Sequence, residues 1–213
     1  MLAALALASV VAWSGWTAPV RCSDAPARPG DDTLRELYAS GVDYATFLAA
    51  AEARRELWLS NTERGEVPGE LLARARAVGG TWYLLAVSID GCSDSVSTVP
   101  FVARLVELVE GLDMRIVDST AGRSIMEAHP TRDDRAATPT VVLLDASWNE
   151  AGCFVERPDP LQTWYQESKA SLSSDELFEG KMAWYAEDSG VSTLREIVEI
   201  LEGAAEGRPI CRG

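Results

Sequence analysis

Lysine and histidine are scarce in this sequence. Lys169 and Lys181 are the only lysines among 213 residues, and His129 is the only histidine. The net charge is −14, from 33 acidic and 19 basic residues, and no cluster of Lys or Arg interrupts the acidic character. A surface of this charge repels nucleic acid and anionic membranes, so we expect no nucleic-acid partner.

A paired-cysteine motif is also absent. The four cysteines, Cys22, Cys92, Cys153 and Cys211, lie far apart in the sequence, and none belongs to a CxxC pair. A structural zinc site needs four Cys or His ligands, usually supplied as closely spaced pairs, so this spacing predicts no metal site. We expect no other cofactor. The hydrophobic fraction of 47% is ordinary for a globular chain and argues against global disorder.

Charge is missing from the start of the chain. Residues 2–20 carry none, which is typical of an export signal or a short membrane anchor. We therefore interpret residues 1–22 as an apolar leader and the Pro/Gly/Asp-rich residues 23–32 as a linker. We favour an exported protein, periplasmic or membrane-anchored, with the leader, if uncleaved, as its only membrane contact. The alternative is a cytoplasmic protein whose N-terminal apolar helix docks on the domain.

The rest of the chain divides into three parts. Residues 33–80 form a predicted N-terminal helical extension, residues 81–170 alternate strands with helices, and residues 171–213 form a predicted C-terminal helical extension. We expect strands at 82–89, 114–118, 140–145 and 153–156, and helices at 33–40, 44–59, 68–79, 94–110 and 121–129, then from about 160, from 173 and at 193–201. This order predicts an α/β fold with a mixed sheet and helices on both faces.

Cys92 lies at the first strand-to-helix turn of the central part. The run Trp82–Val87 is apolar and predicts a buried strand, whereas apolar residues recur at helical spacing after Cys92. A cysteine in this position is close to the free N–H groups and the positive dipole end of the helix, which favours the thiolate. Asp90 and Asp94 act in the opposite direction, because nearby negative charge disfavours a thiolate. The sequence leaves the net effect open.

Two prolines indicate a resemblance to the thioredoxin-like superfamily. Pro100 lies eight residues after Cys92, where thioredoxins have the proline that kinks the active-site helix. Thr138-Pro139, directly before the strand at 140–145, resembles the family's cis-proline, which lies beside the reactive sulfur. The resemblance implies a thioredoxin-like fold with a mixed central sheet flanked by helices, to which this chain adds helices at both ends.

The resemblance is closer to a bacterial subgroup of thioredoxin-like proteins. Their active-site turn has the sequence Trp-Cys-Gly-Asp, and the turn here is Gly91-Cys92-Ser93-Asp94. The pair Arg157-Pro158 and the late segment Trp184–Asp188 match two further motifs of the subgroup. The similarity extends over about residues 33–202 and implies an active-site turn with a single cysteine.

This resemblance implies thiol–disulfide exchange of the monothiol kind. Cys92 is the expected nucleophile, and Ser95 and Asp94 are the expected catalytic neighbours, with the Ser95 hydroxyl as a candidate hydrogen-bond donor to the thiolate. Thr138 and Pro139 are expected to bind the substrate as an added strand. The expected partners are protein thiols and disulfides or a low-molecular-weight thiol.

The sequence departs from thioredoxins at three positions. Ser95 replaces the second cysteine, Ala86 replaces a buried aspartate, and Gly91 replaces the tryptophan before the first cysteine. These differences argue against a dithiol reductase mechanism. The alternative function is a non-catalytic interaction module that binds a peptide or a protein partner in the same groove.

The sequence also predicts where the other three cysteines and the histidine lie. Cys153 is expected on the edge hairpin, as a candidate resolving thiol for Cys92 or as a plain buried cysteine. Cys22 and Cys211 flank the folded body, and chain termini often lie close together, so in an exported protein we expect them to form a structural disulfide. His129 is expected at a helix end, as a capping or surface residue.

Overall fold

The computed structural model describes residues 31–213, with side chains described from Thr33 onward. Its elements, in chain order, are α1 (Asp31–Ser40), α2 (Tyr44–Ala50), α3 (Arg55–Arg64), α4 (Gly69–Val78), β1 (Trp82–Val87), α5 (Ser93–Leu108), β2 (Leu112–Val117), α6 (Arg123–Ala128), β3 (Thr140–Leu144), β4 (Glu150–Val155), α7 (Asp159–Ser168), α8 (Ser174–Asp188), α9 (Val191–Ala205) and β5 (Ile210–Arg212). The predicted leader, which includes Cys22, and residues 23–30 of the predicted linker lie outside the described residues. Between residues 31 and 213 no helix is both long and apolar enough to span a membrane.

The described strands form one mixed sheet in the order β2-β1-β3-β4-β5. Strand β1 is parallel to β2 and antiparallel to β3, β3 is antiparallel to β4, and β4 is parallel to β5. Helices cover both faces, which confirms the predicted α/β class and the thioredoxin-like sheet with additional helices. Strand β5 was not predicted, because three residues are too few to show a periodic pattern.

Strand β1 is buried on both of its faces, which explains its continuous apolar run. Leu84 and Ala86 belong to a core cluster with residues of α3, α4, α5 and α9, whereas Leu85 and Val87 belong to a second cluster with residues of α1 and α6. Successive side chains of a strand point to opposite faces, so one short strand contributes to both clusters. The strand is therefore held from both sides, and the turn that contains Cys92 follows its carboxyl end.

Helix α5 continues through Pro100. A proline inside a helix has no N–H for the carbonyl group four residues earlier, which is here the carbonyl of Val96. That carbonyl accepts a hydrogen bond from Nδ2 of Asn61 at 2.8 Å instead. Asn61 is a buried residue of α3, so a contact between two helices replaces the bond that Pro100 cannot make.

The single helix predicted over residues 44–59 is two helices in the structure. Helix α2 ends at Ala50 and α3 begins at Arg55, and Arg54 between them has a left-handed backbone with φ 53°. The carboxylate of Asp90 accepts hydrogen bonds from the backbone N–H groups of the two residues before Arg54, at 2.9 and 2.8 Å. Those N–H groups therefore bond to a distant carboxylate rather than within one continuous helix.

Candidate active site around Cys92

Cys92 is the N-cap residue of α5, and its side chain is half-buried. The sulfur accepts a hydrogen bond from the backbone N–H of Ser95 at 3.4 Å, and its S–H donates to the carbonyl oxygen of Thr138 at 3.1 Å. The first N–H groups of a helix have no partner inside the helix, so an N-cap side chain can accept from one of them. The sulfur thus lies between a helix N-terminus and the backbone of the segment that leads into β3.

The turn before Cys92 is fixed by the N-terminal helices. Besides the two N–H groups bound by the Asp90 carboxylate, Nε1 of the fully buried Trp58 donates to the backbone carbonyl of Asp90 at 2.9 Å. Nε of Arg54 donates to the carbonyl of Gly91 at 2.8 Å. The hydrogen bonds from the backbone N–H groups of Ala53 and then its neighbour lower the pKa of Asp90 below its usual value. Asp90 is therefore a charged anchor for the turn, bonded to backbone rather than to the sulfur.

Thr138 and Pro139 lie on the other side of the sulfur. The peptide bond between them is cis, and the carbonyl oxygen of Pro139 accepts a hydrogen bond from the backbone N–H of Glu156 at 2.7 Å. This bond ties the proline to the residue that follows β4. The two expected substrate-binding residues are thus beside Cys92, and the Thr138 carbonyl is bonded to the sulfur itself.

Asp94 is buried and is bonded to groups from two distant parts of the chain. Its Oδ2 accepts from Nζ of Lys181 at 2.7 Å, its Oδ1 accepts from the hydroxyl of Tyr185 at 2.8 Å, and Nε of Arg157 lies 3.5 Å from Oδ1. Lys181 also donates to the hydroxyl of Ser93 at 2.9 Å. A buried carboxylate is tolerated only when it is paired and hydrogen-bonded, and Asp94 is both.

Arg157 extends this group of charges toward the cis-proline. Its Nη2 lies 2.6 Å from Oε1 of Glu156, and Arg135 Nη2 lies 3.2 Å from the other oxygen of the same carboxylate. The guanidinium of Arg157 also stacks over the ring of Tyr165, with Cζ 4.2 Å from the ring centre. We call Asp94, Lys181, Tyr185, Arg157 and Glu156 the buried charge network. It connects the Cys92 turn, the loop around Pro139 and helix α8.

Ser95 does not act as its sequence position led us to expect. Its hydroxyl is fully buried, and within residues 31–213 it has no hydrogen-bond partner. The contact with the Cys92 sulfur is made by the backbone N–H of Ser95. The structure therefore contains no bond between the Ser95 hydroxyl and the Cys92 sulfur.

The disulfide in the structure joins Cys153 to Cys211, with Cα atoms 4.3 Å apart. The expected pairing of Cys22 with Cys211 is therefore wrong, because Cys211 is already paired. The physical reason is the unpredicted strand β5, which runs parallel to β4 and places Cys211 directly opposite Cys153.

Cys153 is also not placed to resolve a bond to Cys92. It pairs with Val142 on β3, which is four residues beyond Thr138, or about 13 Å in an extended strand. Its sulfur is buried and used in the disulfide. Among the described residues Cys92 is the one free cysteine, so the site contains a single thiol.

His129 is the C-cap residue of α6, but its ring is buried rather than on the surface. Nε2 lies 3.2 Å from Oε2 of Glu150, and a ring nitrogen is within 4.8 Å of the sulfurs of Cys153 and Cys211. The sequence spacing of these residues gives no indication of a cluster. They meet because α6, β4 and β5 come together at one edge of the sheet.

The partners of Asp94 were not predicted from the sequence. Arg157 and Tyr185 were noticed only as parts of motifs, and Lys181 was noticed only as one of two lysines. One signal was available: Lys181 and Tyr185 are four residues apart in a helix and therefore share a face. A scarce lysine and a tyrosine on one helix face can mark a buried carboxylate partner.

The comparisons with known proteins agree with this architecture. The model of a family described as thioredoxin matches residues 41–170, which is more than half of the chain. The chain therefore belongs to the thioredoxin family. No curated protein matches it.

Two solved structures share the fold. A protein of unknown function from Pseudomonas aeruginosa has a TM-score of 0.64 and 22% identity, and the match covers 80% of this chain and 97% of that one. An HIV epitope scaffold has a TM-score of 0.63 and 20% identity, with 79% of this chain and 97% of that one covered. At these identities the likeness concerns the fold.

Proposed function

We propose that this chain catalyses thiol–disulfide exchange through one thiol, with Cys92 as the nucleophile. We also assign it to the thioredoxin-like proteins whose active-site turn has one cysteine followed two positions later by aspartate. One observation carries the proposal: the sulfur is at the N-terminus of the 16-residue helix α5 and 3.1 Å from the carbonyl before Pro139. The helix terminus stabilises negative charge on sulfur, and the neighbouring backbone is a place for a substrate.

The charge network supports this chemistry by neutralising Asp94. An unpaired carboxylate two residues after Cys92 would oppose formation of a thiolate. Here the Asp94 carboxylate is bonded to the cationic Lys181 and has Arg157 at 3.5 Å. The destabilising effect of Asp94 on the Cys92 thiolate, which the sequence predicts, is therefore reduced. The stabilising effect of the helix N-terminus on the thiolate remains.

The exchange takes place in two steps. The Cys92 thiolate attacks one sulfur of a substrate disulfide, the substrate S–S bond breaks, and the leaving sulfur takes the bonding electrons and then a proton. The thiolate of an external thiol then attacks the mixed disulfide and releases Cys92 as a thiolate. We assign this step to an external thiol because, among the described residues, Cys153 and Cys211 are paired with each other.

The surroundings of the sulfur favour a protein substrate. When Cys92 loses its proton, the Thr138 carbonyl loses its donor and can accept an N–H from an extended substrate segment. Ile89 and Phe178 are large apolar side chains that remain 40% and 41% exposed. Phe178 borders the turn, since it packs under Arg54, which bonds to Gly91. These two side chains would give a protein substrate apolar surface to bury near the reactive sulfur.

One contact favours the alternative, a non-catalytic interaction module. The S–H of Cys92 donates to the Thr138 carbonyl, and a thiol held as a donor is in its protonated, unreactive form. In that case Thr138 and Pro139 would bind an extended segment of a partner without any exchange at sulfur.

The rate of alkylation of Cys92 separates the two functions. In a Cys22→Ser variant with the Cys153–Cys211 disulfide intact, Cys92 is the only free thiol. We expect iodoacetamide at pH 7 to modify it faster in the folded protein than in urea, and we expect a mixed disulfide by intact mass after addition of glutathione disulfide. Cys22→Ser/Cys92→Ser is the matched control. Equal rates in the folded and unfolded chain, without a mixed disulfide, would favour the interaction module.

We also propose that the protein acts outside the cytoplasm. The Cys153–Cys211 disulfide supports this location, because disulfides persist in oxidising compartments. Residues 1–32 fused to a reporter enzyme that is active only after export should give activity, and deletion of residues 2–20 should abolish it. Activity that does not depend on residues 2–20, or no activity at all, would contradict an export role for the leader.

A further inference from the structure

Three ligand-type side chains from distant parts of the sequence meet beside β5. The two sulfurs of Cys153 and Cys211 and a ring nitrogen of His129 all lie within 4.8 Å of one another. His129 and Cys153 are 6% and 2% exposed, whereas Cys211 is exposed. The cluster is therefore mostly enclosed by protein, with an opening to solvent at Cys211.

The imidazole is already oriented by a carboxylate. Nε2 of His129 lies 3.2 Å from Oε2 of Glu150, and both side chains are largely buried. Histidines that bind metals usually have one ring nitrogen hydrogen-bonded to a carboxylate or a carbonyl, which sets the ring orientation and raises the basicity of the ligand. Because Nε2 contacts Glu150, Nδ1 is the ring nitrogen that would bind a cation.

We propose that reduction of the Cys153–Cys211 disulfide turns this cluster into a binding site for one thiophilic divalent cation such as Zn²⁺. An external dithiol supplies two electrons and two protons, the S–S bond breaks, and the dithiol becomes a disulfide. Both cysteines then lose their protons to solvent as the cation binds two thiolates and the His129 nitrogen. Two thiolates and one imidazole are a ligand set that Zn²⁺ favours, and a water molecule completes the tetrahedron.

The local structure permits the small rearrangement that binding requires. Two thiolates on a tetrahedral Zn²⁺ are about 3.8 Å apart, given Zn–S bonds of about 2.3 Å. The sulfurs must therefore separate from bonding distance. Cys211 lies in a three-residue edge strand at the C-terminal end of the described chain, paired only with β4. Among the described strands β5 pairs with β4 alone, so a small shift of Cys211 would involve that pairing and the ion pair of Arg212 with Glu199, and no other strand.

Oxidation and metal binding exclude each other at this site, because the same two sulfurs form either the disulfide or the metal thiolates. The site involves no step at Cys92, so it stands or falls independently of the proposed exchange reaction.

Cobalt binding tests this inference directly. The full-length Cys22→Ser/Cys92→Ser variant keeps only the cysteines of the cluster. After reduction with a phosphine under anaerobic conditions, addition of Co²⁺ should give thiolate-to-cobalt charge-transfer absorption and the visible bands of a tetrahedral ion. One equivalent of Zn²⁺ should remove this spectrum. The same protein in its oxidised form is the matched control and should show no spectrum.

Substitutions then identify the ligands. We expect His129→Asn to weaken Zn²⁺ binding in competition with a chromophoric chelator, and Glu150→Gln to weaken it about 10–100-fold, as outer ligand partners do. Cys211→Ser should lower the charge-transfer intensity. Far-UV circular dichroism shows whether each reduced protein is folded. The inference is overturned if the reduced protein gives no tetrahedral Co²⁺ spectrum, whether or not it stays folded, or if His129→Asn binds Zn²⁺ as tightly as its parent.

Discussion

Replacing Lys181 with methionine should destabilise the fold by about 3–5 kcal/mol, the range observed when one partner of a buried ion pair is removed. Nζ of Lys181 is 2.7 Å from the Asp94 carboxylate, and both side chains are 8% exposed. Methionine fills a similar volume but cannot donate a hydrogen bond, so the carboxylate would stay buried with less compensation. The Tyr185 hydroxyl at 2.8 Å and Arg157 at 3.5 Å remain, which favours the lower end of the range.

Urea unfolding followed by tryptophan fluorescence measures this loss as a change in the free energy of unfolding. Lys169→Met is a matched control, because Lys169 is the only other lysine and is exposed. A surface substitution of this kind should change stability by no more than about 0.5 kcal/mol. Asp94→Asn/Lys181→Met removes both charges and should recover most of the loss, since no unpaired charge stays buried.

The same variants connect the buried charge network with Cys92. With Lys181 removed, the Asp94 carboxylate is less neutralised and disfavours the nearby thiolate, so alkylation of Cys92 should slow. The double variant should restore the rate, and Lys169→Met should not change it. The electrostatic reasoning is refuted if Lys181→Met costs less than about 1 kcal/mol, or if the double variant is as unstable as Lys181→Met alone.

Three further outcomes are expected. Tyr185→Phe should lower the free energy of unfolding by about 1.5–3 kcal/mol, because it removes a buried hydrogen bond to the charged Asp94; a loss below about 0.5 kcal/mol would contradict this. Burial raises the pKa of Glu196 from 4.5 to about 7, so the stability that this residue contributes is complete below pH 4.5 and is lost as the pH rises through 7. The free energy of unfolding, measured in urea, should therefore fall less between pH 5 and pH 8 in Glu196→Gln than in the unsubstituted protein. An equal fall in both proteins would contradict the raised pKa. Ser95→Cys should supply a second thiol one helical turn from Cys92, so the mixed disulfide with glutathione should accumulate less by intact mass; equal accumulation would show that the new sulfur cannot reach.

Local patterns in the sequence predicted much of the architecture. The apolar run Trp82–Val87 and the helical spacing after Cys92 are short-range signals, and both elements form as predicted. The capping box of Ser173 and Glu176 likewise marks the start of α8, with both of its hydrogen bonds present. These elements depend on residues within about one or two turns of one another, so a linear pattern is enough to locate them.

Other features depend on contacts that no local pattern contains. The break between α2 and α3 forms because Asp90, far along the chain, binds the backbone N–H groups that one long helix would have used. The pairing of Cys211 with Cys153 depends on β5, whose three residues become a strand only beside β4. The cysteine count alone is compatible with several disulfide pairings, and the pairing of β4 with β5 brings Cys153 and Cys211 together.

By itself, the sequence determined that a cysteine stands between a buried strand and an amphipathic helix, with no second cysteine in the turn. Only the tertiary structure decided what surrounds that cysteine. Lys181 and Tyr185, which bind the Asp94 carboxylate, lie 87 and 91 residues after it in the chain. A carboxylate can be buried only where the fold brings cations and donors to it, and such encounters depend on how the whole chain packs.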